Sequence, residues 1–120
     1  MLEWIRTSTK STDVTMSVCT GAYVLARTGL LSGKSATTFH RAYEDFAVEF
    51  PDIQLKRGAR FVEDGNLASS GGLTSGIDLA FRTIDRHNES PKPFIWTARA
   101  ADILEKVKRA RRTLNKRQSA

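Results

Sequence analysis

The residues with the most chemistry in them stand together at Cys19-Thr20-Gly21, directly after an alternating β-branched run and directly before an apolar helical one. A thiol at a strand-to-helix joint lies beside unpaired backbone N–H groups at the positive end of the helix. Both features favour the thiolate, which is the nucleophilic form of cysteine. The chain must double back sharply there, and Gly21 relieves the crowding that such a turn creates. The spacing also fits a plainer reading, because free cysteine is among the most buried residue types and packs as a small hydrophobe. At this point both readings stand. Cys19 is the only cysteine, and the two histidines are His40 and His87. A dedicated zinc site wants about four ligands at short spacings, so neither a metal nor another cofactor is expected.

The elements around the cysteine follow from hydrophobic period and turn residues. Residues 2–6 read as the end of a helix and residues 7–13 as a polar turn. Residues 14–18 alternate apolar and polar and are β-branched at both ends, which predicts a short strand. Residues 22–28 form a helix closed by Gly29. Leu30 and Leu31 lie in a loop and fold back on the core, and residues 35–38 make a second short strand. Residues 41–50 are an amphipathic helix with Ala42, Phe46, Ala47 and Phe50 near one face, ended by Pro51. Asp64-Gly65 between two β-prone runs, 60–63 and 66–70, predicts a hairpin with a type I′ turn. After the break at Gly71-Gly72, residues 73–87 are helical, with Leu73, Ile77, Ala80, Phe81 and Ile84 at helical spacing. Within that helix Asp78 reads as a structural carboxylate, and His87 as a C-terminal residue meeting the dipole. Pro91 and Pro93 mark a linker, and a last helix spans 97–114. This order of strands and helices belongs to the α/β class. It divides into residues 1–90, the domain proper, and residues 91–120, a linker with a basic tail.

Bulk properties bound the answer. A chain of 120 residues, 40% hydrophobic and 27% charged, has room for one modest core and a globular composition. One thiol cannot form an internal disulfide, so the fold does not depend on an oxidising compartment. The first residues lack a signal-peptide pattern, and no apolar run approaches the roughly 20 residues that cross a bilayer. The expectation is a cytoplasmic protein. The net charge is +6, and eight basic residues against two acidic ones between Arg99 and Arg117 supply that whole excess of six. Nucleic-acid or anionic-membrane contact by this amphipathic basic helix is one reading. A solvated helix face is the plainer one, and no aromatic residue past Trp96 is interleaved to stack on bases.

Several blocks, in order, resemble the ThiJ/PfpI family of the class I glutamine amidotransferase-like superfamily. They are residues 17–26 around Cys19-Thr20-Gly21, Gly29 through Thr38 with its Ala36-Thr37-Thr38 ending, Phe46-Ala47 leading to Phe50-Pro51, residues 61–66, and residues 69–80 containing Gly71-Gly72. The Cys-Thr-Gly elbow is most similar to the branch containing isonitrile hydratases and the sensor domains of certain AraC-type regulators. The resemblance implies a partial flavodoxin-like sheet, Cys19 as catalytic nucleophile, and Thr20 as a neighbouring group that helps position it. It also implies a histidine shortly after Ala36-Thr37-Thr38. Here Phe39 intervenes, so His40 is either a third catalytic residue that orients the cysteine or a surface residue. Gly21, Gly71 and Gly72 are expected to let backbone approach a small-molecule substrate or ligand, although Gly71-Gly72 fits a tight strand-to-helix joint equally well.

The family's members carry a further half before the elbow. It supplies the first strands of the sheet, a central one among them, and an acidic side chain set against the cysteine. No position here matches that acid. A homo-oligomer or a complementing chain is therefore the expected partner, because an elbow strand lacking neighbours exposes its edge. Two functions are carried forward. One is a cysteine-dependent hydratase or hydrolase, weak or inactive without the missing half. The other is a non-catalytic small-molecule sensor domain or truncated remnant of an AraC-type regulator.

Overall fold

In the computed structural model residues 1–91 are described, together with residues 104, 105, 107–109, 111 and 112. The chain forms two compact units, Met1–Ser90 and Pro91–Ala120. In the second unit the described residues 104, 105, 107–109, 111 and 112 are helical, Leu104 and Val107 are exposed, and Lys108 pairs with Glu105 at 3.4 Å. The rest of the predicted 97–114 helix lies outside the described residues. No helix of the described residues is long and apolar enough to cross a membrane.

The first unit is a mixed α/β structure. In chain order it runs α1 (Leu2–Thr9), β1 (Thr15–Val18), α2 (Gly21–Arg27), β2 (Ser35–Ala36), a 3₁₀ turn at His40–Ala42, α3 (Tyr43–Glu49), β3 (Gln54–Leu55), β4 (Phe61–Asp64), β5 (Leu67–Ser70) and α4 (Leu73–Glu89). The main sheet has the order β1-β5-β4, and β2 and β3 form a parallel pair of their own. β1 runs parallel to β5, with Thr15 opposite Leu67 and Val18 opposite Ser70. β4 and β5 are an antiparallel hairpin. The central strand β5 is buried at all four residues, whereas β1 has a ladder partner on one edge only among the described residues.

Alternation along the strands sorts side chains between two faces. Ser17 lies against Gly21 of α2, and Val18 lies against Gly76 of α4. The α2 face carries the core, built from Ala22, Leu25, Ala26, Leu31, Ala36, Phe46, Ile53 and Leu67. Tyr23, Phe46 and Phe50 close it as an aromatic cluster, with edge-to-face contact between Tyr23 and Phe46 at 5.1 Å. Burying a side chain such as Phe46 or Leu31 stabilises the fold by roughly 1.5–3 kcal/mol each. That core holds α2, and therefore the joint before it, against the sheet.

Several expectations shift. α1 extends to Thr9 instead of ending near Arg6, because the buried Thr9 hydroxyl bonds the Ile5 carbonyl at 2.8 Å and carries the helix through the polar stretch. The β4–β5 loop is Gly65-Asn66, one residue later than the predicted Asp64-Gly65, since Asp64 pairs with Leu67. Only Gly65 has positive φ there (67°), which is the pattern of a II′ turn and not of I′. β2 ends at Ala36, two residues early, because Thr37 and Thr38 bond side chains and the elbow in place of a ladder. The two-residue strand β3 was not foreseen; Ile53-Gln54-Leu55 is too short to show a period. Gly29, in contrast, takes the left-handed conformation (φ 79°) expected just past α2.

The apolar stripe of α4 is present but uncovered. The helix docks through Ser75, Gly76 and Leu79, while Leu73, Ile77, Phe81 and Ile84 remain 50–79% exposed. The reason is positional. One flank of α4 is tied to β4 and the residue before it, by Asp78 with Arg60 and by Arg82 and Arg86 with Glu63. The apolar stripe lies on a different flank, and Met16 and Val18 of β1, on the sheet face that α4 covers, stay 39–40% exposed as well.

Candidate active site

β1 and β5 run in the same direction, and both end where the chain turns into a helix: β1 into α2 through Cys19-Thr20, and β5 into α4 through Gly71-Gly72. In open α/β sheets the carboxyl ends of parallel strands are where ligands bind. Cys19 stands at that end. Its φ is +57°, making it the one non-glycine residue with positive φ among the described residues. A non-glycine residue in the left-handed region costs of order 1–3 kcal/mol and persists only where its surroundings over-determine it.

The surroundings are specific. The Cys19 N–H donates to the Ser70 carbonyl at 2.9 Å, which continues the β1–β5 ladder by one bond beyond Val18. On the other side the Cys19 carbonyl accepts the Thr38 hydroxyl at 3.0 Å and the Ala22 N–H at 3.3 Å. Thr38 is fully buried and so is its neighbour Thr37, whose own N–H donates to the Ser69 hydroxyl at 2.8 Å. The cysteine is therefore gripped through its backbone from two segments while it stays partly accessible. Beneath it the Ser17 and Thr37 hydroxyls are buried with no hydrogen-bond partner. Ser17, together with Gly21 and Val24, borders a groove of about 430 Å³ that reaches Trp4 and Met16 beside the open edge of β1.

Around the cysteine, Thr20 is exposed and Gly21 opens α2. His40 is exposed too, and its ring meets Phe39 edge-on at 4.4 Å; no hydrogen bond joins it to Cys19. Gly71 comes close to three carbonyls: a Cβ there would sit 3.4 Å from that of Thr38, 3.5 Å from that of Ala59 and 3.8 Å from that of Arg60. Its N–H already donates to the Arg60 carbonyl at 3.0 Å. At Gly72 the N–H donates to the Ser75 hydroxyl at 2.8 Å, and that hydroxyl donates back to the Gly72 carbonyl. The glycine pair thus makes the strand-to-helix joint. Sequence reasoning missed Thr38, Ser69 and Ser70 as the groups that hold the elbow. Their signal was the hydroxyl-bearing pairs Thr37-Thr38, just after β2, and Ser69-Ser70, at the end of β5. Among the described residues, no group of three or more His, Cys, Asp or Glu could hold a metal ion.

Comparison with known proteins bears on this arrangement. The model of the DJ-1/PfpI family matches residues 1–86. The chain is 47% identical over 79 residues to isonitrile hydratase from Pseudomonas putida, a match covering 66% of this chain and 33% of the relative. It is 32% identical over 79 residues to the HTH-type transcriptional regulator CdhR of Pseudomonas aeruginosa, covering 66% of this chain and 23% of that protein. Among solved structures, a putative transcriptional regulator protein from Vibrio parahaemolyticus superposes with a TM-score of 0.63 at 26% identity. That match covers 72% of this chain and 47% of the other. The chain therefore spans a third or less of the curated relatives it matches.

Proposed function

The chain belongs to the DJ-1/PfpI family, and on that footing we propose that it carries the nucleophile half of a cysteine-dependent hydratase of the isonitrile hydratase kind, built on a flavodoxin-like sheet. The observation that carries this reading is the left-handed backbone at Cys19, held at the carboxyl end of β1. Strain at a strand-to-helix joint lifts a side chain out of the packed layer toward a substrate. The similarity to isonitrile hydratase points to the substrate.

The chemistry balances with water alone. The Cys19 sulfur bonds to the terminal carbon of R–N≡C, and the thiol proton goes to that same carbon, leaving a thioimidate R–N=CH–S. Water then adds to this carbon while the nitrogen takes a proton. The C–S bond breaks, the thiol is restored, and the product is the formamide R–NH–CHO. Thr20, next to Cys19 in the chain, positions the thiol, and Gly21 lets backbone approach the substrate, while Gly71-Gly72 forms the joint that leads into α4. His40 is the candidate proton carrier, within a chain that has no counterpart for the family's acid. General acid–base assistance is worth about 10²–10⁴-fold, so the chain alone is inactive or nearly so.

The relatives' preceding half, on this chain or another, completes the site in this reading. It pairs with the open edge of β1, supplies the acid, and covers the apolar stripe of α4. Providing such a half from a relative, fused or as a separate chain, is expected to raise formamide production, and Cys19→Ala is expected to abolish it while the fold survives. Full activity in the isolated chain, or activity that survives Cys19→Ala, would place the chemistry elsewhere. The similarity to two regulators favours a second reading, a domain that binds a small molecule without transforming it. The same assay separates the two: ligand binding unchanged by Cys19→Ala, with no turnover in the completed protein, is the sensor's result.

A further inference from the structure

Positive φ at Cys19 needs a force that maintains it, and the structure shows which groups supply one. Three hydrogen bonds converge on this residue's backbone. Two of them, from Cys19 N–H to the Ser70 carbonyl and from Ala22 N–H to the Cys19 carbonyl, are main-chain bonds of the strand ladder and the helix start. The third comes from a side chain 19 positions away, the Thr38 hydroxyl, at 3.0 Å. The ladder bond fixes the nitrogen side of the residue. The carbonyl side is shared by the Ala22 N–H at 3.3 Å and the shorter Thr38 bond, the one that reaches in from a side chain.

We propose that Thr38 is a positioning residue for the Cys19 nucleophile: its hydroxyl bond locks the left-handed backbone that presents the sulfur. The inference rests on the reading of Cys19 as nucleophile given above. Thr38 is suited to the task because it is fully buried, and no water competes for its hydroxyl. It is also anchored, since the preceding Thr37 N–H is bonded to Ser69 at 2.8 Å. The chain leaves the β2–β3 ladder at Ala36, and the strand-breaking pair that follows serves the elbow. Without the hydroxyl the Cys19 carbonyl keeps one partner, Ala22, and the residue relaxes toward the commoner negative φ, which swings the sulfur away.

Thr37 supplies an internal control. It is adjacent, the same residue type and equally buried, yet its hydroxyl has no partner. Replacing an unpartnered buried hydroxyl by a methyl is neutral or stabilising. The test uses the full chain, whose single cysteine makes alkylation unambiguous. Iodoacetamide rates at pH 7 are measured in the native and denatured states for wild type, Thr38→Val, Thr38→Ser and Thr37→Val, with a thermal melt of each. Wild type is expected to react faster native than denatured. Thr38→Val is expected to lose about three- to tenfold of that native rate, the population change that one ordinary hydrogen bond drives. Thr38→Ser restores it, and Thr37→Val leaves it alone. If Thr38→Val does not fold, Thr38→Ser against Thr38→Ala isolates the hydroxyl with the methyl already gone. An unchanged native rate in the folded variant lacking the hydroxyl would overturn the proposal, as would an equal loss in Thr37→Val. Equal native and denatured rates in wild type would instead remove the reading of Cys19 on which it rests.

Discussion

Asp64, the last residue of β4, joins the hairpin to the start of β2. One carboxylate oxygen accepts the Ser35 N–H at 2.8 Å and the other pairs with Lys34 at 3.3 Å. The Ser35 bond, helped by Lys34 and opposed by some burial, holds the Asp64 carboxyl below the usual carboxylate range. Its neighbour Glu63 is pushed up by burial, but hydrogen bonds from Arg82 and Arg86 outweigh that and leave it lowered too. A carboxylate lowered in the fold contributes stability that is present above its unfolded value, about 3.9 for Asp and 4.3 for Glu. That stability is lost as pH falls through the folded value. Denaturant melts at pH 7 and pH 3 are therefore expected to show a smaller acid loss for Asp64→Asn than for wild type. Equal losses in both proteins would remove Asp64 from the linkage. At this scale the sequence was legible for Cys19, whose type and neighbours announce a joint, and for Gly29. It was silent on Thr38, because a hydroxyl reaching a carbonyl 19 residues away leaves no local pattern.

Among the elements, α4 packs close against β1 at Gly76. A Cβ at that position would lie 3.0 Å from both Val18 methyl carbons and 3.3 Å from the Ser70 hydroxyl. Gly76→Ala is favourable for the helix by intrinsic propensity, by roughly 0.8–1 kcal/mol. Overpacking opposes it, typically by 1–3 kcal/mol. Val18 is partly exposed and can give way, but Ser70 is fully buried and bonded to the elbow. The expected net outcome is a modest loss of stability together with slower alkylation of Cys19, because the residue before the elbow is displaced. A variant more stable than wild type with unchanged alkylation would show that the contact relaxes freely. The helix itself was readable from its period, and so were α2 and the hairpin. What period could not reveal is which flank of α4 finds a partner, since that depends on where the sheet ends.

At the scale of the Met1–Ser90 unit, β1 has an unpaired edge among the described residues and α4 has an exposed apolar stripe. Unpaired strand edges and contiguous apolar patches invite association. The isolated chain is expected to self-associate, with a melt that depends on concentration, and Ile77→Lys with Phe81→Lys to reduce that association in sedimentation. A monomer with a cooperative, concentration-independent melt would show that the edge needs no cover. The α/β class, and the order of elements apart from β3, followed from hydrophobic period and turn residues. The uncovered surface was anticipated only through the resemblance, because no residue within a strand states whether its second neighbour is present.

The parallel pairing of β1 with β5 also governs when the backbone at Cys19 reaches its left-handed state. β4 and β5 meet across two residues, whereas the bond from the Ser70 hydroxyl to the Ser17 carbonyl spans 53 positions. Loop-closure entropy must be met before such distant contacts reward it, so the hairpin is expected to form first and β1 to dock late. Until it docks, the Cys19 N–H has no carbonyl from Ser70 to meet, and nothing holds the backbone in its left-handed state. A chain that has made all its local structure still lacks the elbow. If Cys19 is the nucleophile proposed above, its activation comes with this distant strand pairing and is lost whenever that pair opens.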